Sequence, residues 1–159
     1  MMKAPEKLGS EYYRGFLTRQ GQAFYDRINT QLLRGDYSGK TTFSLSNPET
    51  SASDGFAAYK AIRDDRPEFF FLGYQSEFTR RDRTGTLEYP ILYTPDIINR
   101  IQQQMRKSIY RIVRGTAGLS MLEREVLVYE RIAKKLAYTN NGDVRDHSIV
   151  GPILQSEGV

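Results

Sequence analysis

Two amphipathic segments in the second half of the chain constrain its fold more than any other feature. The first opens with Thr94, Pro95 and Asp96, which supply a capping hydroxyl, a proline at the first helical position and an acid. Isoleucines then recur at helical spacing, with basic residues on the opposite face, until Gly115. The pattern predicts a helix from Thr94 to about Arg114.

The second segment begins at Ser120 and Glu123, which have the spacing of a capping box. It predicts a helix that continues to about Tyr138. The helix carries a stripe of apolar side chains that is widened by further apolar neighbours. A stripe this wide is typical of a helix that is largely buried. The stripe consists of Leu122, Val126, Tyr129, Ala133 and Leu136, with Leu127, Val128 and Ile132 beside it.

The first half of the chain predicts two further helices with a short strand between them. The first helix spans residues 10–34, with Ser10 as its cap and Gly35 after its end. A strand over residues 41–45 follows. The next helix begins at Ser53 or Asp54 and stops before Pro67.

A hairpin completes this half. The apolar run from Phe69 to Leu72 predicts a buried strand. The hairpin pairs residues 69–79 with residues 86–93, and Pro90 places its second strand at a sheet edge. The fold class is therefore α+β, helices with a small antiparallel hairpin. We divide the chain into an N-terminal helix and strand region, 1–93, and a helical region, 94–159.

Composition narrows the chemistry that 159 residues can perform. The chain has no cysteine and one histidine, His147. A thiolate metal site, a disulfide and a cysteine nucleophile are therefore excluded from this chain, and we expect no metal and no cofactor. Asp146 and His147 are an acid–base pair in principle. Adjacent side chains do not face each other on a helix, so we interpret Asp146 as a cap and His147 as a turn residue.

The predicted helix 94–114 carries the best binding candidate. Net charge is +4, which permits an acidic partner without requiring one. We prefer the plainer interpretation that the basic residues of this helix form its solvated face, because no nucleic-acid motif accompanies them. The candidate binding residues are Arg100, Lys107, Arg111 and Arg114, with Arg106 at their edge.

Asp64, Asp65 and Glu68 form an acidic cluster that could hold a divalent ion or perform acid–base chemistry. Arg63 and Arg66 stand among these carboxylates. We therefore favour a cluster of ion pairs at a helix end.

The second half of the chain, "LSMLEREVLVYERIAKKLAYTNNGDVRDHSIVGPILQSEGV", resembles the lead-in to the catalytic segment of bacterial transglutaminase-like proteins, in the papain-type cysteine peptidase superfamily. The shared elements are the capping box, the aromatic Tyr138 that ends the helix, a segment at 150–153 and a final Gly158-Val159. Further upstream, residues 58–74 resemble the region that precedes this domain, with Asp65, Pro67, Glu68, Phe69 and Phe70 as its pattern.

The resemblance implies a nucleophilic cysteine directly after Val159, at the start of a helix, with a histidine and an aspartate on later strands. None of the three has a counterpart in this sequence, so no catalytic residue carries over. The resemblance thus implies a non-catalytic N-terminal part of an enzyme whose whole form performs acyl transfer or amide hydrolysis. It also implies an incomplete core, which predicts self-association or binding to a C-terminal half.

The alternative is an independent α+β binding module that uses the basic helix 100–114 on an acidic protein or a nucleic acid. Of the two, nucleic acid is the less expected partner. The sequence shows no membrane span and no signal peptide, which leaves the compartment open.

Overall fold

The computed structural model describes residues 9–134. The chain divides into two compact units, Met1–Pro95 and Asp96–Val159, here called unit 1 and unit 2. Four α-helices and one three-stranded antiparallel sheet lie within the described residues, which confirms the α+β class. None of these helices is long and apolar enough to cross a membrane.

Helix α1 spans Arg19–Leu33, a later start than the sequence predicts. A 3-10 turn at Tyr13–Phe16 precedes it, and Thr18 rather than Ser10 is its N-cap. The Thr18 hydroxyl accepts a hydrogen bond from the Gly21 amide, which satisfies one of the free donors in the first turn. Gly35 follows the helix with a φ of +77°, as the sequence predicts for a C-terminal cap.

Helix α2 spans Ser51–Asp65 and packs against α1. Both residues predicted as its cap, Ser53 and Asp54, lie inside the helix. Asp54 is buried there because it bonds to side chains of α1 and of the preceding loop, a long-range role that local spacing does not reveal.

The sheet has the order β1-β3-β2, with β1 at Lys40–Ser44, β2 at Glu77–Arg81 and β3 at Thr84–Glu88. The β2–β3 hairpin turns at Asp82 and Arg83, where Asp82 has a φ of +50°. The prediction that the second hairpin strand lies at an edge is wrong, because β1 pairs with β3 along its full length. Pro90 follows the end of β3 and removes no donor from the ladder.

The predicted strand at Phe69–Leu72 is also wrong. Pro67–Phe69 forms a 3-10 turn, and Leu72 makes only an isolated bridge with Ile91. Burial of this run is nevertheless as the sequence predicts. All four residues from Phe69 to Leu72 are buried, so their apolar character reflects the core and not an extended backbone.

The core of unit 1 lies between the two helices, the sheet and this apolar run. Phe24 of α1 packs on Phe43 of β1 with 4.2 Å between ring centroids. Tyr59 of α2 stacks on Tyr89 at 5.1 Å, and its hydroxyl donates to the Gly73 carbonyl. These contacts pack α1 on the buried face of β1 and α2 on Tyr89, which directly follows β3.

Unit 2 contains α3, Pro95–Val113, and α4, Met121–Ala133. Helix α3 has the predicted bounds to within a residue. Ser120 and Glu123 form the predicted capping box at the start of α4. The prediction that α4 is largely buried is wrong for its described residues, none of which is buried.

Candidate anion-binding surface

Three of the four predicted binding residues lie on one exposed face of α3, and the fourth, Arg114, directly follows the helix on the same side. Arg100, Lys107, Arg111 and Arg114 are all exposed, whereas Ile98 and Met105 of the opposite face are buried. At about 1.5 Å per residue the four cations extend over about 21 Å of helix. We refer to these four residues as the basic stripe. A row of this length is long enough to meet several successive charges of an anionic polymer.

Arg131 of α4 adds a cation that the sequence analysis missed. Its Nη1 donates to the carbonyl oxygen of Ile112 at 2.6 Å and to that of Arg114 at 2.7 Å. These carbonyls lie in the last turn of α3 and directly after it, where a helix leaves acceptors unpaired and its dipole is negative. Arg131 therefore holds α4 to the C-terminal end of α3.

The contact produces a cleft of about 570 Å³ between the ends of the two helices. Arg111 and Arg114 of the basic stripe line it together with Arg131 and Lys134 of α4, and Ile112 and Gly115 complete the lining. Among the residues that the structure describes, four cationic side chains and no carboxylate line this cleft. In the sequence, only the repeated basic residues near the end of the second amphipathic segment pointed to the contribution of α4 to this cleft.

The positive charge of the whole chain is concentrated in the same region. Residues 96–134 contain eight lysines and arginines against four acids, a net charge of +4. All 159 residues together also have a net charge of +4, so the remaining 120 residues are neutral in sum. An anionic partner is therefore attracted to α3 and α4 and not to the chain as a whole.

The acidic cluster does not form a site of the kind its spacing suggested. Asp64 is exposed, whereas Asp65 is buried and accepts hydrogen bonds from the backbone amides of Tyr13 and Arg14. Asp65 thus holds the 3-10 turn before α1 onto the end of α2. Within residues 9–134, no group of three acids or histidines could hold a metal ion.

Glu68 and Arg66 form a buried ion pair in unit 1. Nε of Arg66 lies 2.8 Å from Oε1 of Glu68, and both side chains are almost fully buried. The guanidinium also lies over the Phe69 ring, 5.4 Å from its centroid. This pair neutralises the carboxylate inside the core, which is the structural role favoured for the cluster.

The remaining residues singled out by the sequence lie outside the described part of the chain. They are Tyr138, Asp146, His147, the segment 150–153 and Gly158-Val159.

A second surface feature of unit 2 is the apolar side of α4. Met121 is 77% exposed, Leu122 70% and Tyr129 74%, with Val126 and Ile132 also exposed. Large apolar side chains that are exposed together on one element typically mark an interaction surface. We call these five residues the α4 apolar face.

No protein-family model matches the chain, and no curated protein matches it either. The transglutaminase-like resemblance therefore stays a prediction, carried by the residues that suggested it.

Proposed function

We propose that the chain is the non-catalytic N-terminal portion of a transglutaminase-like protein, in which α4 packs against the catalytic portion. The α4 apolar face is the observation that carries this proposal. The helix has the capping box and apolar stripe that the resemblance includes. Its described residues bury none of their side chains in this chain.

The energetic reason is the area that α4 leaves in water. Burying an exposed leucine, valine or tyrosine side chain stabilises a protein by about 1.5–3 kcal/mol. A helix with five such side chains gains most of its stability from packing and little from propensity alone. An incomplete papain-type core would leave such a helix uncovered, and the missing catalytic portion would cover it.

The decisive observation is the nucleotide sequence after codon 159, which should continue with a cysteine codon. A cysteine at a helix start gives the low thiol pKa that amide chemistry requires. The extended protein should then show acyl transfer or amide hydrolysis that is lost when this cysteine is replaced by serine. Continuation without that cysteine would remove the proposal.

A packing test examines α4 itself. The downstream polypeptide, supplied as a separate chain, should bind the 159-residue chain, and Val126→Asp should weaken this binding. Phe16→Asp is the matched control, because Phe16 is 73% exposed but lies in unit 1. Equal binding by all three proteins would contradict a role of α4.

The basic stripe favours a second candidate, a module that binds an anionic polymer or an acidic protein. The supporting observation is that residues 96–134 carry a net charge of +4, which equals the net charge of the whole chain. Binding to a nucleic acid should weaken steeply as salt increases, because bound phosphates release counterions. Charge reversal with Lys107→Glu and Arg111→Glu should abolish it, whereas Arg27→Glu in unit 1 should not. Salt-insensitive binding, or none, would remove this candidate.

A further inference from the structure

We propose that the cleft between the ends of α3 and α4 is a binding site for an oxyanion of the phosphate class, with Arg131 as its bidentate donor. This site goes beyond both functions proposed above. Its ligand is recognised by a few fixed donors, so the site stands whether or not the basic stripe binds a polymer.

Arg131 is held in place before any ligand arrives. A guanidinium has five N–H donors, and the two on Nη1 point to the carbonyl oxygens of Ile112 and Arg114. The three donors on Nε and Nη2 make no hydrogen bond within the described residues. Fixing a long side chain in advance reduces the entropy lost when a ligand binds.

The edge formed by Nε and Nη2 is the edge that grips two oxygens at once. Arg14 in unit 1 shows this arrangement, since its Nε and Nη2 each lie 2.7 Å from one carboxylate oxygen of Asp26. Phosphate and carboxylate present the same pair of acceptors to such a fork. Arg131 thus offers a second fork of this type, directed to a ligand instead of to an acid of the chain.

The other walls of the cleft favour an anion of high charge. Arg111, Arg114 and Lys134 bring three more positive charges to the same space. The volume of about 570 Å³ lies within the range of about 300–1,000 Å³ that is usual for small-molecule sites. A single phosphate is smaller than this, so the space also accommodates part of the molecule that bears it.

A purely structural role for Arg131, as a cap on the carbonyls of α3, is the rival explanation. Arg131→Lys separates the two, because lysine keeps the charge and can still donate to a carbonyl but has no fork. Binding of pyrophosphate to the 159-residue chain should weaken about tenfold in this variant. A cap alone predicts no change in pyrophosphate affinity.

The measurement is a titration with pyrophosphate by calorimetry and by amide chemical shifts, with a thermal melt of each variant. If Arg131→Lys disturbs α4, the double variant Arg114→Ala/Lys134→Ala tests the cleft instead. It leaves the hydrogen bonds of Arg131 to the backbone in place. Both variants should bind more weakly than the control Arg124→Ala, which removes one exposed cation of α4 outside the cleft. The shifts should cluster at residues 111–116 and 131–134.

Competition with a short oligonucleotide that lacks a terminal phosphate identifies the source of the oxyanion. Displacement of pyrophosphate by the oligonucleotide means that the cleft takes backbone phosphates. Retention of pyrophosphate means that it takes a small phosphate compound, and either result supports the site. Failure of pyrophosphate to bind the unmodified chain would overturn the proposal, as would equal weakening by Arg124→Ala and the cleft variants.

Discussion

The carboxylate of Asp54 accepts a hydrogen bond from the Thr18 hydroxyl, with 2.7 Å between Oδ1 and Oγ1. Gln20 and Thr50 donate to its other oxygen at 2.9 and 2.8 Å. Because Thr18 is the N-cap of α1 and Asp54 lies in the first turn of α2, one buried carboxylate fixes the starts of both helices.

This carboxylate should make stability depend on acidity. Burial favours a higher pKa for Asp54, but the hydrogen bonds from Thr18, Thr50 and Gln20 outweigh it and lower the pKa below the ordinary 3.8. A lowered pKa contributes stability that is complete above the unfolded value and is lost as pH falls through the folded value. Denaturant melts of the unmodified chain should therefore weaken below about pH 4.

Asp54→Asn should remove this dependence together with about 2 kcal/mol of stability at neutral pH, because an amide nitrogen would face hydrogen-bond donors. Asp64→Asn is the matched control, since Asp64 is exposed on the same helix. Parallel pH profiles for the unmodified chain and Asp54→Asn would contradict this assignment.

Removing one partner of the buried Arg66–Glu68 pair should be severely destabilising. Glu68→Ala would leave the Arg66 charge buried without its carboxylate, at a cost of about 3–5 kcal/mol. The double variant Arg66→Met/Glu68→Leu should recover most of this loss, because two apolar side chains need no compensation. Urea unfolding of the three proteins tests the expectation, and a single variant as stable as the parent chain would disprove it.

The ring of Phe78 in β2 leaves no room for a side chain at Gly55 or Gly85. A Cβ at Gly85 would lie 2.5 Å from Cζ of Phe78, and one at Gly55 would lie 2.8 Å from its Cδ2. Gly85→Ala should therefore cost about 1–3 kcal/mol through overpacking. Gly15→Ala, where a Cβ would meet nothing within 4 Å, should change the melting temperature little. Phe78→Leu should partly rescue Gly85→Ala.

The α4 apolar face should make the isolated chain associate with itself, because exposed apolar surface lowers its free energy by contact. Light scattering should show a mass above that of the 18.3 kDa monomer, increasing with concentration. Leu122→Asp with Tyr129→Asp should shift the protein towards the monomer, and Phe16→Asp should not. A monomeric parent chain with a cooperative melt would count against this expectation.

The capping box of α4 should act locally. Ser120→Ala removes the hydroxyl that accepts from the Glu123 amide, so the first-turn amides of α4 should exchange with solvent several-fold faster. Ser120→Asp should restore protection, because aspartate is also a good N-cap. Global unfolding should be unchanged, since no described residue of α4 is buried. Hydrogen exchange followed residue by residue distinguishes these results.

Capping residues and helical periodicity in the sequence predicted the elements whose bounds depend on neighbouring residues alone. The bounds of α3 follow from Thr94-Pro95-Asp96 at one end and Gly115 at the other, and the start of α4 follows from Ser120 and Glu123. The positions of Arg100, Lys107, Arg111 and Arg114 on one face follow from helical periodicity alone. Whether these residues bind an anion is still a prediction.

The errors lie where distant contacts override local preference. Phe69–Leu72 has the composition of a strand, but the structure buries it as a turn that ends in an isolated bridge. Ser10 has the character of a helix cap, yet Thr18 takes that role because the buried Asp54 holds its hydroxyl. Periodicity shows which apolar side chains share a face, whereas tertiary packing decides which residues cover that face.

The sequence by itself determined the α+β class, the two helices of unit 2 and the chemistry excluded by the absence of cysteine. Only the tertiary structure decided that Arg131 lies against the carbonyls of Ile112 and Arg114, and that the cations of two helices therefore line one cleft. It also decided that α4 leaves its apolar face in water. A helical pattern fixes which side chains share a face, whereas the surface opposite that face depends on residues far away along the chain.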